Sequence, residues 1–175
     1  MIAMKICISG QSASGKTTVG AMLAKYLGIK HVELSYKRDA NSNRELLGIL
    51  KESKAKYAKS FDDEVRSMAR GNCVITTWLS PWIVKGSTLN VRLYADESVR
   101  AKRVMKRERI GRAAALRYVR EKDKLTIAHF KKVYGINVTD DLKFDIEINT
   151  GKMETRRAVA IIALAAMLKE KNRFD

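Results

Sequence analysis

The chain has 175 residues, 46% of them hydrophobic, which is enough for one well-buried core and argues for a single α/β domain. Its longest apolar run, Ala158 to Leu168, is far short of the ~20 residues of a membrane span, and the N-terminus leads straight into a strand-like run without room for a signal peptide, so a cytoplasmic protein with no membrane partner is expected. Thirty-five Lys and Arg stand against 19 Asp and Glu, a net charge of +16 that calls for an anionic partner.

Met4, Ile6 and Ile8 with Cys7 between them predict a short buried strand. Directly behind it comes GQSASGKTT, in which the spacing from Gly10 to Lys16 and Thr17 is the phosphate-loop pattern G-x-x-x-x-G-K-S/T. Each part has its own task. Gly10 and Gly15 let the backbone curl so that successive N–H groups converge on phosphate oxygens, Lys16 reaches the β- and γ-phosphates, and the Thr17 hydroxyl offers a Mg²⁺ coordination position. Gln11, Ser12, Ala13, Ser14 and Thr18 complete the cradle, and the helix behind it adds a positive N-terminal dipole. Val19, Met22, Leu23, Tyr26 and Leu27 mark one face of that helix, with Gly28 as its stop.

IKHVEL reads as strand 2, followed by a polar connection from Tyr36 to Asn43. Two helices are expected next, over about Arg44–Ala58 and Asp62–Arg70, the second opened by Ser60 and Asp63 in a capping-box arrangement. NCVITT is strand 3, TWLSPWIVKGS a loop holding the single proline, Pro81, and LNVRLYA strand 4. Asp96 and Ser98 start a helix that breaks near Gly111, and another follows over about Ala113–Val133. FDIEIN alternates as strand 5, and a last helix spans about Thr155–Lys169. Strands alternating with helices imply a parallel five-stranded sheet flanked by helices, with ligands at its carboxyl edge. Cys7 and Cys73 lie in apolar runs and read as buried thiols; His31 and His129 are too scattered for a metal cluster.

The phosphate loop implies a nucleoside triphosphate, with ATP and Mg²⁺ the expected pair. D-x-x-G and N-K-x-D are both missing, which removes the GTPase reading, and strand 3 ends in Thr76, Thr77 and Trp78, without the acid that ATPase motors place there. A small kinase acting on a bound acceptor fits best. From Arg100 to Lys132 there are 13 basic and 3 acidic residues, a local charge of +10. Nucleotide phosphates could answer it, and so could RNA or a ribosome.

The loop GQSASGKTT, then VRAKRVMKRERI, ALRYVREKDK and VYGINVTDDLKFDIEINTGKM resemble, in order and spacing, the archaeal-type cytidylate kinases, a P-loop nucleoside monophosphate kinase family; the resemblance is strong over residues 4–28 and 90–152. It implies a core of 1–35, 71–106 and 133–175, an acceptor-binding excursion over about 36–70, and a lid over about 107–132. It implies that Arg120 and Lys122 of VREKDK are lid cations, that Arg103 and Arg107 serve phosphates from the preceding helix, and that the turn Thr150–Lys152 lies beside adenine. The chain departs from the family where the acceptor belongs: Glu33, Leu34 and Ser35 replace a small glycine-containing turn, and Trp78 stands where an arginine is usual. Ser35, Trp78 and the cations Arg38, Arg44 and Arg66 are the acceptor candidates.

Three functions follow. The first is phosphorylation of a nucleoside monophosphate, most of all CMP or dCMP, by ATP; its nucleophile is already anionic and requires no base. The second moves the phosphoryl group to a hydroxyl of a small molecule or RNA, with Glu33 as base and Asp39 a few residues on. The third is a nucleotide-dependent RNA- or ribosome-binding protein on a kinase fold. Monomer and dimer are both compatible with the sequence.

Overall fold

β1 (Lys5–Gly10) lies at the centre of a five-stranded sheet of order β2-β3-β1-β4-β5, every pair parallel, in a computed structural model that describes residues 3–33, 43–52 and 55–171. Its neighbours are β3 (Cys73–Thr76) and β4 (Leu89–Tyr94), with β2 (Lys30–Glu33) and β5 (Ile146–Asn149) at the edges. Five of the six β1 residues are buried, as a strand covered on both faces requires. Ile6 and Ile8 point to one core with Val19, Leu23, Val91 and Ile162, which seats α1 (Lys16–Leu27) and α7 (Thr155–Lys171) on that face. Cys7 points to the other, with Phe61, Val65, Leu79 and Phe130 from α3 (Ala55–Met68), the segment that follows β3 and α6 (Arg112–Tyr134). A third, smaller core joins α5 (Glu97–Glu108) to α6 through Val104, Ala115 and Val119, with Ala13 and Leu47 packed against it.

Two glycines are fixed by close approach. At Gly10, with φ +143°, a Cβ would come within 2.0 Å of the Leu93 carbonyl oxygen, so β1 and β4 could not close around the loop's entrance. At Gly20 a Cβ would meet Thr76 Cγ2 at 2.3 Å, so α1 could not lie on β3 at this distance. Cys7 and Cys73 are buried free thiols, and burial pushes Cys7 up to about 12. Among the described residues no helix is long and apolar enough to cross a membrane.

The structure corrects two expectations. The helical stretch between β2 and β3 divides into α2 (Asn43–Glu52) and α3, so Ser60 and Asp63 fall inside α3 instead of capping it. Buried Phe61 and Val65, one helical turn apart, hold that segment on the core, and the packing overrides the local capping signal; Asp63 pairs with Arg66 at 3.0 Å. The expected loop around Pro81 contains a single turn, α4 (Ser80–Ile83), where proline occupies the first turn and its missing N–H costs nothing.

Candidate active site

The phosphate loop spans the carboxyl end of β1 to the first turn of α1, and half of its carbonyls are held by residues far away in the chain. Each carbonyl from residue 10 to 15 accepts a hydrogen bond. Lys16 Nζ donates to Gly10 O (2.6 Å) and Gln11 O (2.9 Å), Arg100 Nη1 to Ser12 O (3.3 Å), and Arg103 Nη1 to Ala13 O (2.9 Å). Thr150 Oγ1 donates to Ser14 O (2.7 Å), and the Val19 N–H to Gly15 O (3.0 Å). With every one of these carbonyls engaged by a donor, none is left unpaired to repel an anion at the loop. Ala13 takes a left-handed φ of 60° to complete the curl. The hydroxyls of Ser12 and Ser14 are buried with no hydrogen-bond partner, two polar atoms that a phosphate would satisfy.

Asp123 of α6 accepts the Ser12 N–H (3.3 Å) on one oxygen and Arg100 Nη1 (2.6 Å) on the other. Arg100 and Asp123 are both buried, so the Ser12 peptide is gripped from both sides by one ion pair. Burial raises the Asp123 carboxyl, while Arg100 and the Ser12 N–H draw it back down. Sequence reading passed over both residues, because a helical Arg and Asp inside a charge run read as a solvated face.

A cavity of about 410 Å³ opens over the loop, with Lys16, Thr17 and Thr18 on its floor and Arg103, Arg107 and Thr150 on its wall. Arg103 is braced there by Thr150 Oγ1 (3.0 Å) and Thr150 O (2.7 Å), and burial lowers its pKa. Arg107 reaches the cavity from one turn further along α5, with Nε on Glu108 (2.6 Å). Lys16 is pushed down to about 7, first by burial and then by the charge of Lys122, against the pull of Asp123 and Glu33. Its Nζ also stands 5.4 Å from the Trp78 ring centroid, and Ser9 Oγ fixes the Trp78 carbonyl at 2.6 Å. Trp78 is therefore a neighbour of the loop lysine.

The other residues named from sequence are placed as follows. Arg120 lies on the exposed side of α6, its guanidinium bidentate on Glu97 (2.8 to 3.0 Å), away from the loop cavity. Arg66 is exposed and paired with Asp63. Arg44 belongs to α2 by its backbone, and its side chain lies outside the described residues, as do Leu34, Ser35, Arg38 and Asp39. Glu33 ends β2 and accepts the Thr17 hydroxyl at 2.5 Å. A hydroxyl and a carboxylate are the hard oxygen donors that Mg²⁺ takes, so the residues present fit that ion.

Residues 33–152 match the family model described as the cytidylate kinase-like family. The chain is 31% identical over 170 residues to the cytidylate kinase of Pyrococcus horikoshii, covering 91% of this chain and 86% of that protein. In three dimensions it is similar to an uncharacterized protein from Eubacterium ventriosum, with a TM-score of 0.71 at 22% identity over 93% of this chain and 98% of that one. It is also similar to shikimate kinase from Acinetobacter baumannii in complex with shikimate, with a TM-score of 0.60 at 18% identity over 97% and 95% of the two chains. Both structural likenesses establish the fold alone.

Proposed function

The chain belongs to the cytidylate kinase-like family and is a phosphotransferase of P-loop kinase fold; from that premise we propose that it transfers the γ-phosphoryl group of ATP to a nucleoside monophosphate, CMP or dCMP first. The observation that carries this reading is the loop cavity, where Lys16, Arg103 and Arg107 gather around a loop whose carbonyls are all hydrogen-bonded. Phosphoryl transfer asks for positioning and positive charge more than for covalent help. The acceptor phosphate is anionic at neutral pH, so its oxygen attacks without a general base, and the β-phosphate of ATP leaves as ADP.

Residue roles follow from position. The loop N–H groups not already engaged and the Ser12 and Ser14 hydroxyls bind the polyphosphate, Lys16 and Arg103 neutralise charge spreading over the group in flight, and Arg107 adds its charge from the cavity wall. Arg120 joins only if its pair with Glu97 opens. Thr17 would hold Mg²⁺, which when bound would supply positive charge against the polyphosphate. Trp78 and the cations Arg38, Arg44 and Arg66 remain acceptor-side candidates on the sequence and the family resemblance.

The test is coupled-assay turnover with ATP, Mg²⁺ and a panel of CMP, dCMP, UMP, AMP and GMP. CMP or dCMP should give the highest kcat/KM, and absence of turnover with every monophosphate ends the proposal. A separable second reading rests on the ten exposed cations among the thirteen between Arg100 and Lys132: contact with RNA or a ribosome, checked by RNA titration at several salt concentrations with and without ATP.

A further inference from the structure

The acid that should hold the metal is missing from the end of β3, where Thr76, Thr77 and Trp78 follow one another. The sheet supplies one from the next strand. β2 pairs with β3 in parallel register, which sets Glu33 directly opposite Thr76 at the same carboxyl edge. There the Glu33 carboxylate accepts the Thr17 hydroxyl proton at 2.5 Å. With its proton committed to Glu33, the Thr17 oxygen keeps its lone pairs for another partner.

Among the described residues this carboxylate accepts the Thr17 hydroxyl and forms no ion pair with a Lys or Arg. The loop must take a polyphosphate, and the acceptor side of the proposed reaction brings a second phosphate to the same edge, so Glu33 would repel both anions. Lys16 feels this charge across space but gives its hydrogen bonds to Gly10 O and Gln11 O. A divalent cation between the carboxylate and the phosphates turns that repulsion into attraction.

We propose that Glu33 and Thr17 together form the divalent-cation site of this protein, Glu33 replacing across the β2–β3 register the acid that β3 lacks. The inference rests on the nucleotide-binding part of the function proposed above, and it assigns Glu33 to the metal instead of to deprotonation of a hydroxyl acceptor.

Calorimetric binding of the non-hydrolysable analogue AMPPNP, with Mg²⁺ and with EDTA, tests it without turnover. In the wild-type chain Mg²⁺ should tighten AMPPNP binding. In Glu33→Gln that tightening should shrink by about tenfold or more, the scale on which loss of a metal-site partner is felt, while affinity in EDTA should equal or exceed the wild type because a like charge has gone. Glu33→Asp should restore part of the Mg²⁺ effect. Full retention of the Mg²⁺ effect in Glu33→Gln overturns the assignment, and so does an equal loss in Mg²⁺ and in EDTA, which would make Glu33 a support of the loop. A wild-type chain that binds no AMPPNP overturns both this inference and the proposed function. One that binds with the expected Mg²⁺ dependence but phosphorylates no monophosphate overturns only the function.

Discussion

Lys16 is held by carbonyls of its own loop, half-buried with its ammonium shielded from water, and near the charge of Lys122, so its pKa is pushed down from 10.5 to about 7. Its charge counts most when the γ-phosphoryl group is between donor and acceptor, whereas the backbone donors survive its removal. Lys16→Ala should therefore cut kcat by about 10² to 10³ and weaken nucleotide binding much less; steady-state kinetics beside a fluorescent-nucleotide titration measures both. The depressed pKa has a sign that can be read directly. In metal-free buffer at about pH 8, Lys16 is mostly neutral in the free protein and is partly reprotonated by a polyphosphate, so binding takes up a fraction of a proton. At about pH 6 it is already charged and almost none is taken up. Affinity should fall modestly, by about tenfold or less, as pH rises through about 7, and calorimetry in two buffers of different ionisation enthalpy counts the protons. Lys16 was legible from sequence because motif and context are local, packed into residues 4–28. The contact between its ammonium and Trp78 was not, since it depends on how β3 ends beside β1.

At the scale of elements, α5 and α6 grip the phosphate loop through Arg100 and Asp123, which lie 88 and 111 residues beyond Ser12. Losing one member of such a buried pair leaves a charge without its partner. Asp123→Ala should lower the free energy of unfolding by about 3–5 kcal/mol, and Arg100→Met with Asp123→Leu should cost less than Asp123→Ala alone; urea unfolding compares them. Arg120 makes a different case, exposed and fastened to Glu97 on the neighbouring helix. Arg120→Ala should lower kcat while the Kd for ATP stays unchanged, and Glu97→Ala, which releases the guanidinium, should leave kcat at or above the wild type. Equal losses of kcat and ATP affinity in Arg120→Ala would instead mark a ground-state contact. The strands and most helices were readable because their apolar periods are short-range. The start of α3 ahead of Ser60 was not, because Phe61 and Val65 are held by a core assembled from residues scattered along the chain, and neither was Asp123, whose partner is chosen by topology and not by spacing.

Across the whole molecule the +16 charge is concentrated on the outer sides of α5 and α6, where ten cations between Arg100 and Lys132 are exposed. Like charges at that density oppose the compact state, so the melting temperature should rise as sodium chloride is raised from about 0.05 to about 0.5 M, over which the screening length falls from beyond 10 Å to a few Å. A flat or falling profile by differential scanning calorimetry would show that internal pairing already balances the surface. The sheet order carries a consequence of another kind. β1 is the first strand made and the central one, yet its neighbours come late: the Met4 N–H bonds to Asn72, 68 residues on, and the Lys5 N–H to the Thr88 hydroxyl, 83 residues on. At a synthesis rate of about 5–20 residues per second, this apolar segment waits for several seconds beside the ribosome with neither edge paired. Chaperone capture and aggregation of nascent chains should therefore concentrate on those first residues, and end only when β4 has emerged.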